Sequence, residues 1–475
     1  MNTQTYDAKA LSNGARDVLV APDTGRKPKI VARLRDWEYI EHSLMRLIAG
    51  WARYFPEWED KVACHRHIWE QAECVQRLRE RQAQFPGTSG NLDAPVSKKL
   101  ERLVNTVLQA PSHEDAVDGI HSVLLGALMN AYLDYRARAH PVHDAPTLAT
   151  LHQVVGIKES MRLWLRDYRR RHPHEINKDY REAIARAMED CGQLHEALPV
   201  ESEAAKPCGV DTPFRLPARP ARPEGTAPRY DITPYLEADF ETSVEARRLF
   251  WCYGYLLEMN LAEDMPRMIW AGHFMPWEYQ HKLARHLWDE SRHGDSGRSR
   301  LLDFGITLQE IGFPAYSGDP RGLRGDDGEI GYQENMTPEE LCEGAFFLGM
   351  VPETGHFTVK NEAYQDFKAG GDLESAEMMI FDIIDEGAHV QYCHEWLPEL
   401  ALRTGVDMGD YRTRATGIRA EYQHQTDARV EAARLLPRDE SNPTFVFYQH
   451  LLQRIREKQP LSNASTCLPR TAKPM

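Results

Sequence analysis

The chain has 475 residues, 42% of them hydrophobic, and its 57 Lys+Arg against 72 Asp+Glu leave a formal charge of −15. That length suggests about two to four domains, and the composition is that of an ordinary globular protein. An acidic chain is a poor candidate for gripping nucleic acid or anionic lipid through its net field.

No apolar run reaches the ~18 residues of a transmembrane helix, so no membrane partner is expected. The N-terminal MNTQTYDAKALSNGARD lacks the apolar h-region of a secretory signal. The eight cysteines, at 64, 74, 191, 208, 252, 342, 393 and 467, never form CxxC, which argues against a disulfide framework or a zinc ribbon. A reducing, cytoplasmic location is the expectation. The glycine-rich phosphate loops and the GxSxG elbow are missing from the sequence.

Taken in chain order, residues 1–197 carry a helical apolar period and read as one helical domain. From Leu198 to Pro234 eight prolines interrupt the chain, so 198–234 reads as an extended spacer. Thr242-Ser-Val-Glu245 is a capping-box pattern, and Gly272 closes the helix it opens. Pro276 suits the first turn of the next helix, and Gly305 follows it. An irregular crossover, Phe313 to Met336, leads to a second box, Thr337-Pro338-Glu339-Glu340. Gly370-Gly371 ends that helix, and Asp372 caps a fourth running towards Pro398 and Gly405. The fold expected over 235–408 is all-α, a four-helix bundle with one long connection. Accessory helices follow within 409–458, and a polar, disordered tail covers 459–475.

Glu-x-x-His occurs five times, at 278/281, 290/293, 353/356, 386/389 and 421/424. The pattern is short enough to recur by chance, so height in the helices is what separates the pairs. Glu258 lies 14 residues before Gly272 (272 − 258), and Glu290 lies 14 after Pro276 (290 − 276). In antiparallel helices both stand about 21 Å from the turn, at 1.5 Å per residue. Glu353 and His356 lie 17 and 14 residues before Gly370, and Glu386 lies 14 after Asp372. All four helices therefore bring acids to one level, and i, i+3 spacing puts His293 and His389 on the faces of Glu290 and Glu386. Pairs 278/281 and 421/424 fall outside that level and read as solvated surface. Glu263, five residues past Glu258, falls on another face and reads as surface or as an acid behind the ligands. Four carboxylates with imidazoles inside a bundle are prohibitively costly unless cations compensate them. Oxygen donors plus imidazole suit iron or manganese.

Asp289-Glu290-Ser-Arg292-His293 resembles the DExRH element of the ferritin-like di-iron carboxylate proteins, and Asp385-Glu386-Gly-Ala-His389 resembles its partner without the Arg. The resemblance covers roughly Asp239 to Gly405. It implies a ferritin-like bundle holding two Fe ions, with Mn or mixed Mn/Fe as variants. Glu258, Glu290, His293, Glu353, Glu386 and His389 would be ligands, and Asp289 and Asp385 would orient the histidines. His356 is an additional candidate ligand, a feature that resembles the arylamine N-oxygenase branch although the extra ligand there comes from a different helical position, or else a pocket histidine. Asp382, one turn before Glu386, is an extra ligand or an acid behind one. Pro352 is expected to kink the third helix at the site. Gly294 and Gly297 either leave room for a small molecule or let helices pack closely. The crossover is a lid or a plain surface connection.

Trp58-Glu59-…-Arg66-His67-Ile68-Trp69 matches Trp277-Glu278-…-Arg285-His286-Leu287-Trp288 at an offset of 219. On that offset Gln71 falls at Glu290 and Cys74 at His293. Glu38 falls near Glu258, within a residue or two. Leu125-Gly126 against Leu348-Gly349 sets Asn130 at Glu353 and Leu133 at His356. Lys158 or Glu159 falls at Glu386, and Met161 or Arg162 at His389. The first half thus reads as a ligand-less ferritin-like repeat. Because His67 stands in a half without a site, its match His286 reads as structural. Ferritin-like enzymes often pair two bundles, so the fused copy favours a monomer.

The function expected is a dinuclear non-haem iron oxidoreductase that activates O₂ to hydroxylate, N-oxygenate or desaturate a small organic substrate, with an external electron donor possible. The alternatives are iron or peroxide handling, as in ferritins and rubrerythrins, and a non-catalytic scaffold stabilised by metal. Hydrolysis at a dinuclear site also remains open.

Overall fold

The computed structural model describes residues 26–85, 92–93, 96–200, 214–217, 219–313 and 335–458. The expected tail, 459–475, and the crossover between Phe313 and Asn335 lie outside them. The described residues form an all-helical protein. In the first half α1 (Arg26–Ala52) and α2 (Trp58–Ala83) form a hairpin. The short α3 (Lys98–Leu108) follows. Then α4 (His113–Arg138) and α5 (Ala145–Arg171) form a second hairpin, and α6 (Lys178–Asp190) packs outside. By length and composition α4 passes the test for a membrane span, but 67% of its most apolar window is buried inside the protein.

The second half repeats the order. After α7 (Thr233–Asp239) come α8 (Val244–Ala271) and α9 (Trp277–Asp303) as one hairpin, then the single turn α10 (Leu308–Ile311). Helices α11 (Pro338–Met350) and α12 (Pro352–Ala369) form the ascending arm of the next hairpin, and α13 (Leu373–Thr404) the descending arm. Helices α14 (Tyr411–Arg434) and α15 (Pro443–Lys458) lie outside.

The punctuation explains these ends. Ser243, one residue later than the sequence pattern suggests, accepts from the Ala246 amide and caps α8. Pro276 is the N-cap of α9 and lies just outside its first turn. The Thr337–Glu340 box forms with both reciprocal bonds. Gly405 at φ 74° ends α13 in the left-handed region that glycine tolerates best. Val351, at φ −105° and ψ −71°, breaks the third helix immediately before Pro352. Pro352 has no amide hydrogen to continue the ladder, so α11 and α12 are separate helices that meet at the level of Glu353.

The two halves share one hydrophobic core, and α2 packs along α9. Polar bonds cross the seam: Trp58 Nε1 donates to Asp295 at 2.8 Å, His42 meets Gln280 at 2.7 Å and His65 meets Ser291 at 3.1 Å. His281 reaches Glu73 at 2.9 Å, so it is an interhelical contact, whereas Glu278, Glu421 and His424 are exposed as expected. Glu263 is neither surface nor near the donor cluster. It is buried between Lys61 of α2 and Arg222 of the proline-rich spacer. The spacer is tied to both halves, since the Ala221 amide donates to the Arg53 carbonyl at 2.8 Å and Arg222 donates to Asn260 at 2.6 Å.

Candidate metal centre

The level argument puts four acids at one height, and the structure brings them together. Glu258 on α8, Glu290 on α9, Glu353 on α12 and Glu386 on α13 all contribute to one buried cluster. Its donor atoms fall into three groups, each with atoms within 4.8 Å of one another: His286, Glu290, Glu353 and His389; Glu258, Glu290 and His293; and His293, Asp382 and Glu386. Glu290 belongs to the first two groups, and His293 to the last two. Glu290 Oε1 lies 3.2 Å from His286 Nε2 and 3.6 Å from His389 Nδ1, while its Oε2 lies 4.0 Å from His293 Nδ1. One carboxylate thus turns a different oxygen to each of two donor groups.

One residue differs from the expectation, and two fall on one side of an open alternative. His286 is part of the cluster: its Nε2 lies 2.9 Å from Glu353 Oε1, and its ring stacks on His389 at 3.6 Å between centroids. Its match to His67 suggests a packing role, yet it stands one turn before Glu290 on the same face of α9. Asp382 lies among the donors, 3.3 Å from His293 Nδ1. His356 enters none of the three groups. It is half-buried and lines a cavity beside the cluster.

Lys360 is the group the sequence reading missed entirely. Its ammonium is buried, 2.7 Å from Asp382 and 2.7 Å from Glu386, and 4.0 Å from Glu258. Burial opposes its charge, but Glu386 and Asp382 hold its pKa well above the usual lysine value. The signal available was its place one turn past His356 on α12.

Asp289 and Asp385 stand behind the histidines, as the resemblance implies, and they pair crosswise. Asp289 of α9 meets His389 Nε2 of α13 at 3.3 Å, and Asp385 of α13 meets His293 Nε2 of α9 at 3.3 Å. Each bond turns an Nδ1 towards the cluster. Arg292 bonds to Asp289 and, at 2.6 Å, to Asp385, tying the two helices together. Burial would raise the Asp289 pKa, but bonds from His389, Arg285 and Arg292 hold it well below the usual range.

The electrostatics are those of a site short of positive charge. Burial pushes Glu258 up to about 7 and Glu386 well above its ordinary value, against the pull of Lys360. Burial opposes a charged His389, but Asp289, Glu353 and Glu290 raise it to about 9. The oxygens of Glu353 and Asp382 and the Nδ1 atoms of His293 and His389 have only the cluster's own charged groups for partners, His293 Nδ1 lying 3.1 Å from Glu258 Oε2 and His389 Nδ1 3.6 Å from Glu353 Oε1. Buried polar atoms left so are costly. Their convergence, with oxygen and imidazole donors mixed, fits divalent iron or manganese.

Gly294 and Gly297 serve helix packing. A Cβ at Gly297 would lie 2.3 Å from the Leu256 amide nitrogen and 2.6 Å from the Cys252 carbonyl oxygen, and one at Gly294 would lie 3.0 Å from the Met259 nitrogen.

The first half holds a buried polar cluster of its own, with no group of metal-binding side chains among the described residues. Gln71 and Cys74 follow the 219 offset, and both are fully buried. The carboxylate at the centre is Glu41, at an offset of 217 (258 − 41), whereas Glu38 pairs with Arg79 at 3.2 Å. Lys158 meets Glu41 at 2.6 Å, with both side chains fully buried, and Tyr132 donates to Glu41 at 2.6 Å. An offset of 228 in the second hairpin sets Lys158 against Glu386 (386 − 158), Met161 against His389 and Tyr132 against Lys360. Leu125 and Leu128 then stand for Glu353 and His356. The 223 offset from Leu125-Gly126 would instead use Asn130 and Leu133, and both are exposed. A π-helical stretch at Asp118–Leu124 widens α4 by part of a turn, which a short sequence match does not reveal.

Comparison with family models, with curated proteins and with solved structures finds no match to this chain.

Proposed function

We propose that the chain is a dinuclear non-haem iron oxidoreductase that uses O₂ to oxidise a small organic substrate. The observation that carries this reading is Glu290, shared between two donor groups on opposite sides of its carboxylate. A charge count supports two ions. Glu258, Glu290, Glu353, Asp382 and Glu386 carry five negative charges and Lys360 one positive, so two divalent cations bring the buried cluster to neutrality. With one cation, protons held on Glu258 and Glu386, whose pKa values burial raises, would have to make up the difference.

On this reading the bundle is ferritin-like and the first half is its ligand-less copy, which makes a monomer the expected state. His286, Glu290, Glu353 and His389 would hold one ion. Glu258, Glu290, His293, Asp382 and Glu386 would hold the other, Lys360 competing for the last two acids. Bound iron would supply electrons and open coordination positions for O₂, and hydroxylation, N-oxygenation and desaturation all fall within that chemistry. Asp289 and Asp385 fix the ring orientation of His389 and His293 and make their Nδ1 atoms better donors. The adjoining cavity favours catalysis over a purely structural metal, since a structural site is closed and a catalytic one keeps an approach.

Anaerobic reconstitution with Fe(II), metal counting and exposure to O₂ test the reading. About two irons per chain and a transient optical change on O₂ are expected. One tightly bound zinc, inert to O₂, would sink it. So would a Glu290→Ala chain that still retains two irons.

A further inference from the structure

A cavity of about 330 Å³ opens directly on the cluster. At ~30 Å³ per water it has room for a molecule of roughly ten non-hydrogen atoms. Its walls are mostly apolar, with Phe250, Trp251 and Tyr253 beside Leu257, Leu261 and Leu348, and the Glu237–Arg429 pair also lines it. Its inner end is the donor cluster with Lys360. Between wall and cluster sits His356, whose imidazole has no hydrogen-bond partner among the described residues. A neutral imidazole offers both an acceptor and an N–H. A half-buried ring without a protein partner that faces the cavity is placed to hydrogen-bond the cavity's occupant.

We propose that this cavity is a substrate chamber for an aromatic alcohol or amine of about ten non-hydrogen atoms, whose O–H or N–H hydrogen-bonds His356 while its ring lies against the aromatic wall. The proposal rests on the oxidoreductase reading for what happens next, but binding itself is independent of it. Flat apolar rings suit Phe250, Trp251 and Tyr253 by offset or edge-to-face contact. The polar group is then held beside the cluster, the position a group to be oxidised needs.

The test uses two molecules of nearly equal shape, 2-naphthol and 2-methylnaphthalene, and equilibrium binding to the full chain with its metal content measured. The wild-type chain should bind 2-naphthol about tenfold more tightly, the factor expected for one net hydrogen bond. His356→Phe should abolish that preference. Gly254 lines the cavity, and a Cβ there meets nothing within 4 Å. Gly254→Phe should therefore weaken both molecules at least tenfold, with the helical circular dichroism retained. Equal binding of the two by the wild-type chain, a preference that survives His356→Phe, or binding untouched by Gly254→Phe would each overturn the proposal. A chain that binds 2-naphthol as expected but cannot take up two irons keeps the chamber and refutes the oxidoreductase reading. A chain that takes up two irons but binds neither molecule refutes the chamber alone.

Discussion

His389 Nε2 on α13 lies 3.3 Å from Asp289 Oδ2 on α9, and His293 with Asp385 repeats the pairing in reverse at the same distance. Each helix supplies the acid that orients the other helix's histidine. The orientation of both imidazoles therefore depends on the mutual register of α9 and α13, which Arg292 fixes by bonding both acids.

Asp289→Asn should weaken binding of Mn(II) or Fe(II) by about 10–100-fold, the usual consequence of losing a carboxylate behind a ligand histidine. Asp385→Asn should do the same for the position served by His293. Competition against a chelator of known affinity measures both. Unchanged affinity in both variants would show that the crosswise pairs do not tune the centre.

The stability of the metal-free and metal-loaded chain should depend on pH in opposite ways. His389 is raised from 6.5 to about 9, so its contribution to the metal-free fold is complete below pH 6.5 and is lost as pH rises through about 9. Glu258, raised from 4.5 to about 7, contributes fully below 4.5 and loses that contribution as pH rises through 7. Metal needs both groups deprotonated, so its affinity should grow over the same window. The rise in Tm on adding Mn(II) should accordingly be larger at pH 9 than at pH 6.5. A metal-induced rise that is constant across that window contradicts the assignment.

Lys158 and Glu41 form a fully buried pair in the first half. Lys158→Met leaves Glu41 with only Tyr132 and should cost about 3–5 kcal/mol in urea unfolding. The double variant Lys158→Met with Glu41→Leu should recover most of that loss, because neither charge is then stranded. Iron content should be the same in both, since the pair belongs to the half without ligands. A fall in iron content would place Lys158 in communication with the centre.

Gly297→Ala drives a Cβ into the backbone of α8 and should destabilise by at least ~1–3 kcal/mol, the range for overpacking. Gly417, in the interior of α14, has nothing within 4 Å of its Cβ position, so Gly417→Ala should instead stabilise by about 0.5–1 kcal/mol. Thermal or urea unfolding of the two variants gives the comparison. A harmless Gly297→Ala would mean that α8 and α9 can separate at no cost.

The all-helical class and the helix ends were legible because period, caps and prolines are local. Thr337, Gly272, Asp372 and Gly405 act within a turn or two of where they stand. The meeting of Glu258, Glu290, Glu353 and Glu386 was legible for a related reason: distance from a short turn becomes height in an antiparallel pair. His286 was misjudged because its match, His67, lies in the ligand-less half. A residue can keep its packing role in both halves and still face a cluster in one of them.

The sequence by itself determined which helices form, where they stop and which acids stand at one level, since these follow from local capping and a fixed rise per residue. Only the tertiary structure decided which way each side chain turns at that level. The break at Val351 and Pro352 directs Glu353 to the cluster and leaves His356 on the cavity, and the register of α12 against α13 sets Lys360 between Asp382 and Glu386. Those outcomes depend on the rotation of each helix about its own axis, which packing against three neighbours fixes and spacing along one chain does not.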